Sequence, residues 1–141
     1  MILVSSCLLG INCKYSGGNN YQEKILKLVK EGKAIFACPE QLGGLTTPRL
    51  PAEIVYKDNK RYVINKEGRN VTEEYERGAE EVLKILKEMN ITKVIFKSKS
   101  PSCGCGQIYD GTFSNKLIKG NGITTQLLID NGIEVLTELD I

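Results

Sequence analysis

The sequence of 141 residues contains no histidine, and this absence excludes several kinds of active site. Without an imidazole there can be no Ser-His or Cys-His dyad, and no zinc site that mixes cysteine with histidine. No apolar run approaches the roughly 20 residues that a membrane span requires. A net charge of only +2 provides no broad field that would draw the chain onto nucleic acid or a membrane. Lys93, Lys97 and Lys99 form a local basic cluster, which we interpret as a solvated face.

Cysteine, in contrast, occurs at five positions. The few apolar residues at the N-terminus have no basic region before them and do not resemble a signal peptide, so we expect a cytoplasmic protein. Disulfides are rare in a reducing cytosol, where cysteines more often bind metal or take part in catalysis. The odd number also argues against a fully paired disulfide framework. The thiols are therefore the first candidates for a functional site.

Short apolar runs alternate with helical patterns along the chain, which predicts a parallel sheet covered on both faces. The predicted strands are residues 1–5, 33–37, 91–96 and 133–136, and a predicted β-hairpin pairs residues 54–56 with 62–64. We expect Asn20 to be the N-cap of the first predicted helix and Thr72 to be the N-cap of the second. We expect one α/β domain over residues 1–141. Its architecture should be a Rossmann-like three-layer fold, with a mainly parallel sheet of about four strands and a β-hairpin insertion.

Three of the cysteines follow predicted strands. Cys7, Cys38 and Cys103 each lie within a few residues of the C-terminal end of one strand. In an open parallel sheet these ends form the crevice where ligands bind, so the three thiols should converge there. A single buried cysteine is often only a small core residue. Three of them at one edge of the sheet are better explained by a site.

Four kinds of chemistry could use such thiols. A cysteine phosphatase would need arginine where Cys13 and Lys14 stand. A thiol redox site would need a Cys-x-x-Cys pair, whereas Cys103 and Cys105 are separated by a single residue. Structural zinc prefers close cysteine pairs on local turns. An iron–sulfur cluster requires only thiolates, and three ligands on a four-iron cube would leave one iron open to a soft sulfur atom. The cluster is favoured, and structural zinc stays open as an alternative.

Four stretches of the sequence, spread from Ser5 to Leu128, carry a family resemblance. They are SSCLLGINCKYSGG, CPEQLGGLTTPRLPAEI, KSKSPSCG and IYDGTFSNKLIKGNGITTQLL. Together they resemble the family that includes the TudS-type thiouracil desulfidases.

This resemblance implies a [4Fe–4S] cluster bound by Cys7, Cys38 and Cys103, with Cys13 and Cys105 as non-ligands. It also implies that the fourth iron takes the sulfur of a thiolated nucleobase, and that water then replaces this sulfur at carbon without net redox change. Use of Cys105 as a fourth ligand would close the open iron.

Five more residues are candidates for the site. Glu40 could act as general acid or base, either activating water or protonating the leaving sulfide, or it could be a helix-cap or surface carboxylate. Ser100 could relay a proton and Ser102 could hydrogen-bond the substrate, or both could only shape the loop. Arg49 and Asp110 are candidates for substrate binding, with a structural ion pair and a turn as the respective alternatives.

These observations predict a cytoplasmic iron–sulfur enzyme that removes sulfur from a thiolated pyrimidine or a related thio-compound. Its expected partners are a small-molecule thio-substrate, with tRNA or a sulfur-transfer enzyme as further possibilities, and no membrane. The oligomeric state is left open. One alternative is a carrier that delivers sulfide to a partner enzyme, and another is a structural zinc protein with an interaction function.

Overall fold

The computed structural model describes residues 1–141 and contains eight β-strands and four α-helices. In chain order they are β1 (Ile2–Ser5), α1 (Glu23–Lys30), β2 (Ala34–Ala37), α2 (Pro39–Leu42), β3 (Ala52–Lys57), β4 (Lys60–Asn65), α3 (Thr72–Met89), β5 (Lys93–Phe96), β6 (Gln107–Tyr109), β7 (Leu117–Lys119), α4 (Ile123–Asp130) and β8 (Glu134–Thr137). Short 3₁₀ helices occupy Ser6–Leu9 and Glu138–Asp140. No helix in the structure is both long enough and apolar enough for a bilayer span.

Four strands form one parallel sheet in the order β2–β1–β5–β8. The chain leaves β1 toward one edge of the sheet to form β2, and then returns past β1 to form β5 and β8. This reversal creates a topological switch point at the C-terminal ends of β1 and β5, which is where open α/β sheets bind ligands. The predicted parallel sheet of four strands is confirmed.

Helices cover both faces of this sheet. Successive strand residues point to opposite faces, so Leu3 packs against Val82 of α3 and Leu128 of α4, while Val4 packs against Ile25 of α1. Burying an aliphatic side chain of this kind contributes about 1.5–3 kcal/mol. The helix–sheet–helix layering confirms the predicted three-layer, Rossmann-like architecture.

The predicted hairpin insertion is formed by β3 and β4, which are longer than the sequence indicated. Asp58 and Asn59 connect them with positive φ angles of 53° and 63°, the pattern of a type I′ turn that fits the twist of the strands. A second hairpin pairs β6 with β7. Ile54, Val63 and Ile108 of the two hairpins share an apolar cluster with the start of α3, so both hairpins pack at the same end of the molecule.

Both predicted helix caps are wrong by one or two residues. The residue before α1 is Gln22, not Asn20, and it makes no side-chain cap hydrogen bond. The residue before α3 is Val71, so Thr72 is already helical. The hydroxyl of Thr72 instead accepts the backbone N–H of Val63 at 2.9 Å, which links α3 to the hairpin. A contact with the preceding hairpin strand, nine residues away, thus takes up the hydroxyl that the sequence pattern assigned to a helix cap.

Candidate functional site

A cavity of about 510 Å³ opens at the C-terminal edge of the parallel sheet, between the strand ends and the two hairpins. Its volume is typical of small-molecule sites. The side chains with reactive groups in its lining include Cys7, Cys13, Cys38, Cys103, Glu40 and Glu53. The fold therefore brings the three predicted cysteines to one cavity, together with a fourth thiol.

Cys38 lies at the junction of β2 and α2. It directly precedes the helix, whose first residue is Pro39, a residue suited to that position because its missing N–H would have no helical partner. The pKa of Cys38 is lowered to about 7, and the largest cause is hydrogen bonding with the Cys13 thiol. Burial acts in the opposite direction, and the backbone N–H of Gln41 lowers the pKa further. Cys38 is therefore a thiolate over much of the physiological pH range, which is the form that binds metal.

Cys13 lines the same cavity as Cys7 and Cys38 and lies near both. These contacts with Cys38 and Cys7, together with burial, raise the pKa of Cys13 far above that of a free thiol. The contact with Cys13 is also the largest cause that lowers the pKa of Cys7. These shifts favour a protonated Cys13 beside Cys7 and Cys38, whose pKa values are lowered.

Cys103 has a different environment. Its side chain is fully enclosed, and this burial raises the pKa of the Cys103 thiol, although hydrogen bonds from two hydroxyls oppose the effect. Those donors are Ser5 and Ser102, each 3.5 Å from the sulfur atom. The backbone N–H of Cys103 donates to Ser100 Oγ at 2.7 Å, which fixes the loop. A bound cation would favour loss of the thiol proton, as metal coordination does.

Cys105 is turned away from these thiols. Its sulfur atom contacts the carbonyl oxygen of Val135 in β8 at 3.8 Å, and the residue does not line the cavity. This position agrees with the non-ligand role that the resemblance implies.

Glu40 lines the cavity from α2, and donors hold both of its carboxylate oxygens. Arg49 Nη2 lies 3.1 Å from Oε2 of Glu40, and the Tyr75 hydroxyl donates to Oε1. Burial, followed by the charge of Glu40 and the hydrogen bond to it, raises the pKa of Tyr75, which therefore stays a neutral donor. Two donors, one of them a cation, therefore fix the position of the Glu40 carboxyl group.

Arg49 forms the structural ion pair that was its alternative role. Its side chain is almost fully buried and does not line the cavity. Besides Glu40, its Nη2 donates to the carbonyl oxygen of Cys13 at 2.9 Å. The guanidinium therefore connects α2 to the segment that carries two of the thiols, and the geometry favours support of the site over contact with substrate.

Two glycines explain how α2 comes so close to α3. A Cβ atom at Gly78 of α3 would lie 1.9 Å from the carbonyl oxygen of Pro39, and one at Gly43 would lie 1.9 Å from the carbonyl oxygen of Glu74. The two helices touch backbone to backbone, a distance that only residues without a side chain allow. This approach places Glu40 within reach of Tyr75.

Of the remaining predicted residues, only Ser100 lines the cavity. Ser102 is buried behind Cys103 and donates to its sulfur atom. Asp110 lies in a surface turn, where its carboxylate accepts hydrogen bonds from the backbone and hydroxyl of Thr112. Neither Ser102 nor Asp110 lines the cavity, so their positions agree with the loop-shaping and turn alternatives, and their roles toward substrate stay predictions.

The sequence patterns gave no site role to several charged residues of the cavity, and Lys97 is one of them. Lys97 was assigned to a solvated face, and this is wrong, because it lines the cavity and its Nζ lies 3.0 Å from Oε2 of Glu138, whose side chain is largely enclosed. Phe96 of β5 pairs with Thr137 of β8, so the next residues, Lys97 and Glu138, are neighbours. The adjacency of two predicted strands could have indicated this pair. Glu53 of β3 also lines the cavity.

Comparisons with known proteins give matches over nearly the whole chain. A family model described as 2-thiouracil desulfurase matches residues 2–140. The uncharacterized protein YbbK of Bacillus subtilis (strain 168) is 50% identical over 144 residues, covering 98% of this chain and 95% of that protein. The solved structure of the [4Fe-4S]-dependent thiouracil desulfidase TudS is 40% identical, with a TM-score of 0.90, and the match covers 99% of this chain and 91% of that chain.

Proposed function

The chain belongs to the 2-thiouracil desulfurase family, and from this membership we propose that it desulfurates a thiolated pyrimidine such as 2-thiouracil with the help of a [4Fe–4S] cluster. The protein is an enzyme, and the reaction replaces sulfur by oxygen: a C=S group and water give a C=O group and hydrogen sulfide. No electrons are gained or lost. The observation that carries the proposal is the meeting of Cys7, Cys38 and Cys103 at one cavity.

The donor set of the cavity fits an iron–sulfur cluster. Cys7, Cys38 and Cys103 would hold it, since cluster ligands are thiolates and the chain has no histidine. No three cysteine or carboxylate side chains stand close enough together to hold one metal ion. That spacing does not support a closed tetrahedral zinc site, whereas the ligands of a polynuclear cluster bind different metal atoms and need not touch. Cys13 would remain protonated beside them.

When bound, the cluster would supply an iron without a protein ligand, a Lewis acid soft enough to prefer the sulfur atom of the substrate. The protein would supply the proton transfers. Glu40, positioned by Arg49 and Tyr75, accepts a proton from the water that attacks the thiolated carbon. The geometry of Glu40 therefore favours the role of general base over that of general acid.

Ser100 and Lys97 complete the polar part of the cavity. The Ser100 oxygen accepts the backbone N–H of Cys103 at 2.7 Å, which leaves its hydroxyl proton available to the neighbouring Ser102 or to a substrate. Lys97, anchored by Glu138, places a positive charge that favours the thiolate of Cys7.

The experiment is a turnover assay with anaerobically reconstituted protein. We expect 2-thiouracil to be converted to uracil with one sulfide released per uracil formed, and protein without cluster to be inactive. Protein that contains its full complement of iron but leaves 2-thiouracil unchanged would contradict the proposal. A stably bound extra sulfide without turnover would instead favour the carrier role.

A further inference from the structure

A second carboxylate, Glu53, faces the cavity from the hairpin side. Glu53 lies on β3, is 8% exposed, and lines the cavity that also contains the thiols. Its Oε1 atom accepts two backbone hydrogen bonds, from the N–H groups of Gly111 at 3.0 Å and Phe113 at 3.1 Å. The reaction described above makes no use of this residue.

The loop that binds Oε1 is fitted closely to β3. Gly111 has a φ angle of +92°, and a Cβ atom there would lie 2.8 Å from the carbonyl oxygen of Ile54. Only glycine allows both this conformation and this approach. Because the backbone of Glu53 is paired with Ile64 of β4, the carboxylate is held from two sides, and the direction of its second oxygen is set.

That second oxygen, Oε2, has no partner in the protein. It makes no hydrogen bond, and Glu53 forms no ion pair. The fully enclosed side-chain polar atoms that lack a partner are Arg49 Nε and Thr124 Oγ1, so Oε2 of Glu53 is not fully enclosed. Oε2 is therefore accessible, on a residue that lines the cavity. A largely buried carboxylate oxygen without a donor is unfavourable, and a ligand with an N–H group would relieve that penalty.

We propose that Glu53 Oε2 accepts a hydrogen bond from a ring N–H of the pyrimidine substrate, and so selects bases that carry a donor next to the reacting carbon. This inference rests on the proposed function for the identity of the substrate. In 2-thiouracil, the carbon that bears sulfur lies between N1–H and N3–H. A hydrogen bond to either group orients the ring, and a site built to bind such a donor discriminates strongly against an analogue that lacks it.

Substitution by glutamine gives a sharp test, because the two carboxylate oxygens have different environments. In Glu53→Gln the amide oxygen takes the place of Oε1, where two backbone N–H groups require an acceptor. The amide nitrogen then faces the cavity, and an acceptor becomes a donor. The variant keeps the shape and the loop contacts but repels the substrate N–H. Glu80→Gln on the exposed face of α3 is the matched control.

The first readout is binding of the product uracil, measured by calorimetry on the full chain with and without reconstituted cluster. We expect Glu53→Gln to weaken uracil binding at least tenfold, and Glu80→Gln to leave it unchanged. Each of 1-methyluracil and 3-methyluracil lacks one of the two ring N–H groups. The analogue that lacks the N–H bound by Glu53 should bind the wild type at least tenfold more weakly than uracil. The same analogue should bind the wild type and Glu53→Gln with about equal affinity. Unchanged uracil binding in Glu53→Gln, or absence of uracil binding to the wild type, would overturn the inference.

The second readout is turnover of 2-thiouracil at full iron content. We expect Glu53→Gln to raise KM at least tenfold and to change kcat by less than threefold, since the residue orients the ring and does not transfer a proton. A fall in kcat with unchanged KM would overturn the inference. If uracil binding follows the expected pattern while the wild type releases no sulfide from 2-thiouracil, the proposed desulfuration fails and the assignment of Glu53 stands.

Discussion

Gly78 provides a test of the contact that positions α2, the helix that carries Glu40 and begins directly after Cys38. By helix propensity alone, Gly78→Ala in the middle of α3 should stabilise the protein by about 1 kcal/mol. The structure predicts the opposite sign. The added Cβ would lie 1.9 Å from the carbonyl oxygen of Pro39 and 3.2 Å from the backbone nitrogen of Gly43, so α2 must move away from α3.

The size of the effect follows from three contributions. Overpacking of a close contact costs about 1–3 kcal/mol, and the gain in helix propensity offsets about 1 kcal/mol of this. Displacement of α2 also weakens the hydrogen bond from Tyr75 to Glu40, and hydrogen bonds to charged groups contribute about 1.5–3 kcal/mol. We expect a net loss of about 1–3 kcal/mol in the free energy of unfolding. Because a misplacement of about 1 Å can reduce a rate by about 10²-fold, turnover should fall at least tenfold.

The assay is equilibrium unfolding in urea, followed by circular dichroism, together with turnover of 2-thiouracil by reconstituted protein. Glu80→Ala, on the exposed face of the same helix, is the control, and its effect should stay within about 0.5 kcal/mol. If Gly78→Ala is as stable as the wild type or more stable, and keeps its activity, the close packing of α2 on α3 does not position the site.

Three further outcomes are expected. Glu40→Gln should reduce kcat by about 10²-fold or more, as loss of a general base does, and should leave the iron content unchanged. An unaltered kcat would show that Glu40 has only a structural role. Tyr75→Phe should reduce kcat less than Glu40→Gln does, because one oxygen of Glu40 loses its donor; an unchanged kcat would exclude this positioning role. In cluster-free protein, iodoacetamide should alkylate Cys38 first, at a rate that rises as the pH increases through about 7, since the thiolate reacts. The buried Cys103 should stay unmodified, and equal rates for the two cysteines would contradict the assignment.

The convergence of the three cysteines could be predicted from the sequence because topology determines it. Parallel strands end at a common edge, so Cys7, Cys38 and Cys103 had to approach one another if the strands were predicted correctly. The alternation of apolar runs and helical patterns sufficed for that. Neither step depended on the details of any side chain.

The supporting contacts could not be predicted, because they depend on how elements cross. Tyr75 fits the apolar stripe of α3, and nothing in that pattern shows that its hydroxyl reaches Glu40. The ion pair of Arg49 depends on the path of the loop after α2. The free oxygen of Glu53 depends on the approach of the Gly111 loop, which comes from a distant part of the chain. Each of these contacts is set by packing between segments that are far apart in sequence.

Iron content after single cysteine substitutions tests the central claim most directly. Each variant is reconstituted under the same anaerobic conditions, and iron and acid-labile sulfide are measured per chain. We expect Cys7→Ala, Cys38→Ala and Cys103→Ala to lose the cluster, and Cys13→Ala, which removes a thiol from the same cavity, to keep iron near the wild-type level. Full iron content in any of the first three variants, or loss of iron in Cys13→Ala alone, would contradict a cluster held by these three thiols.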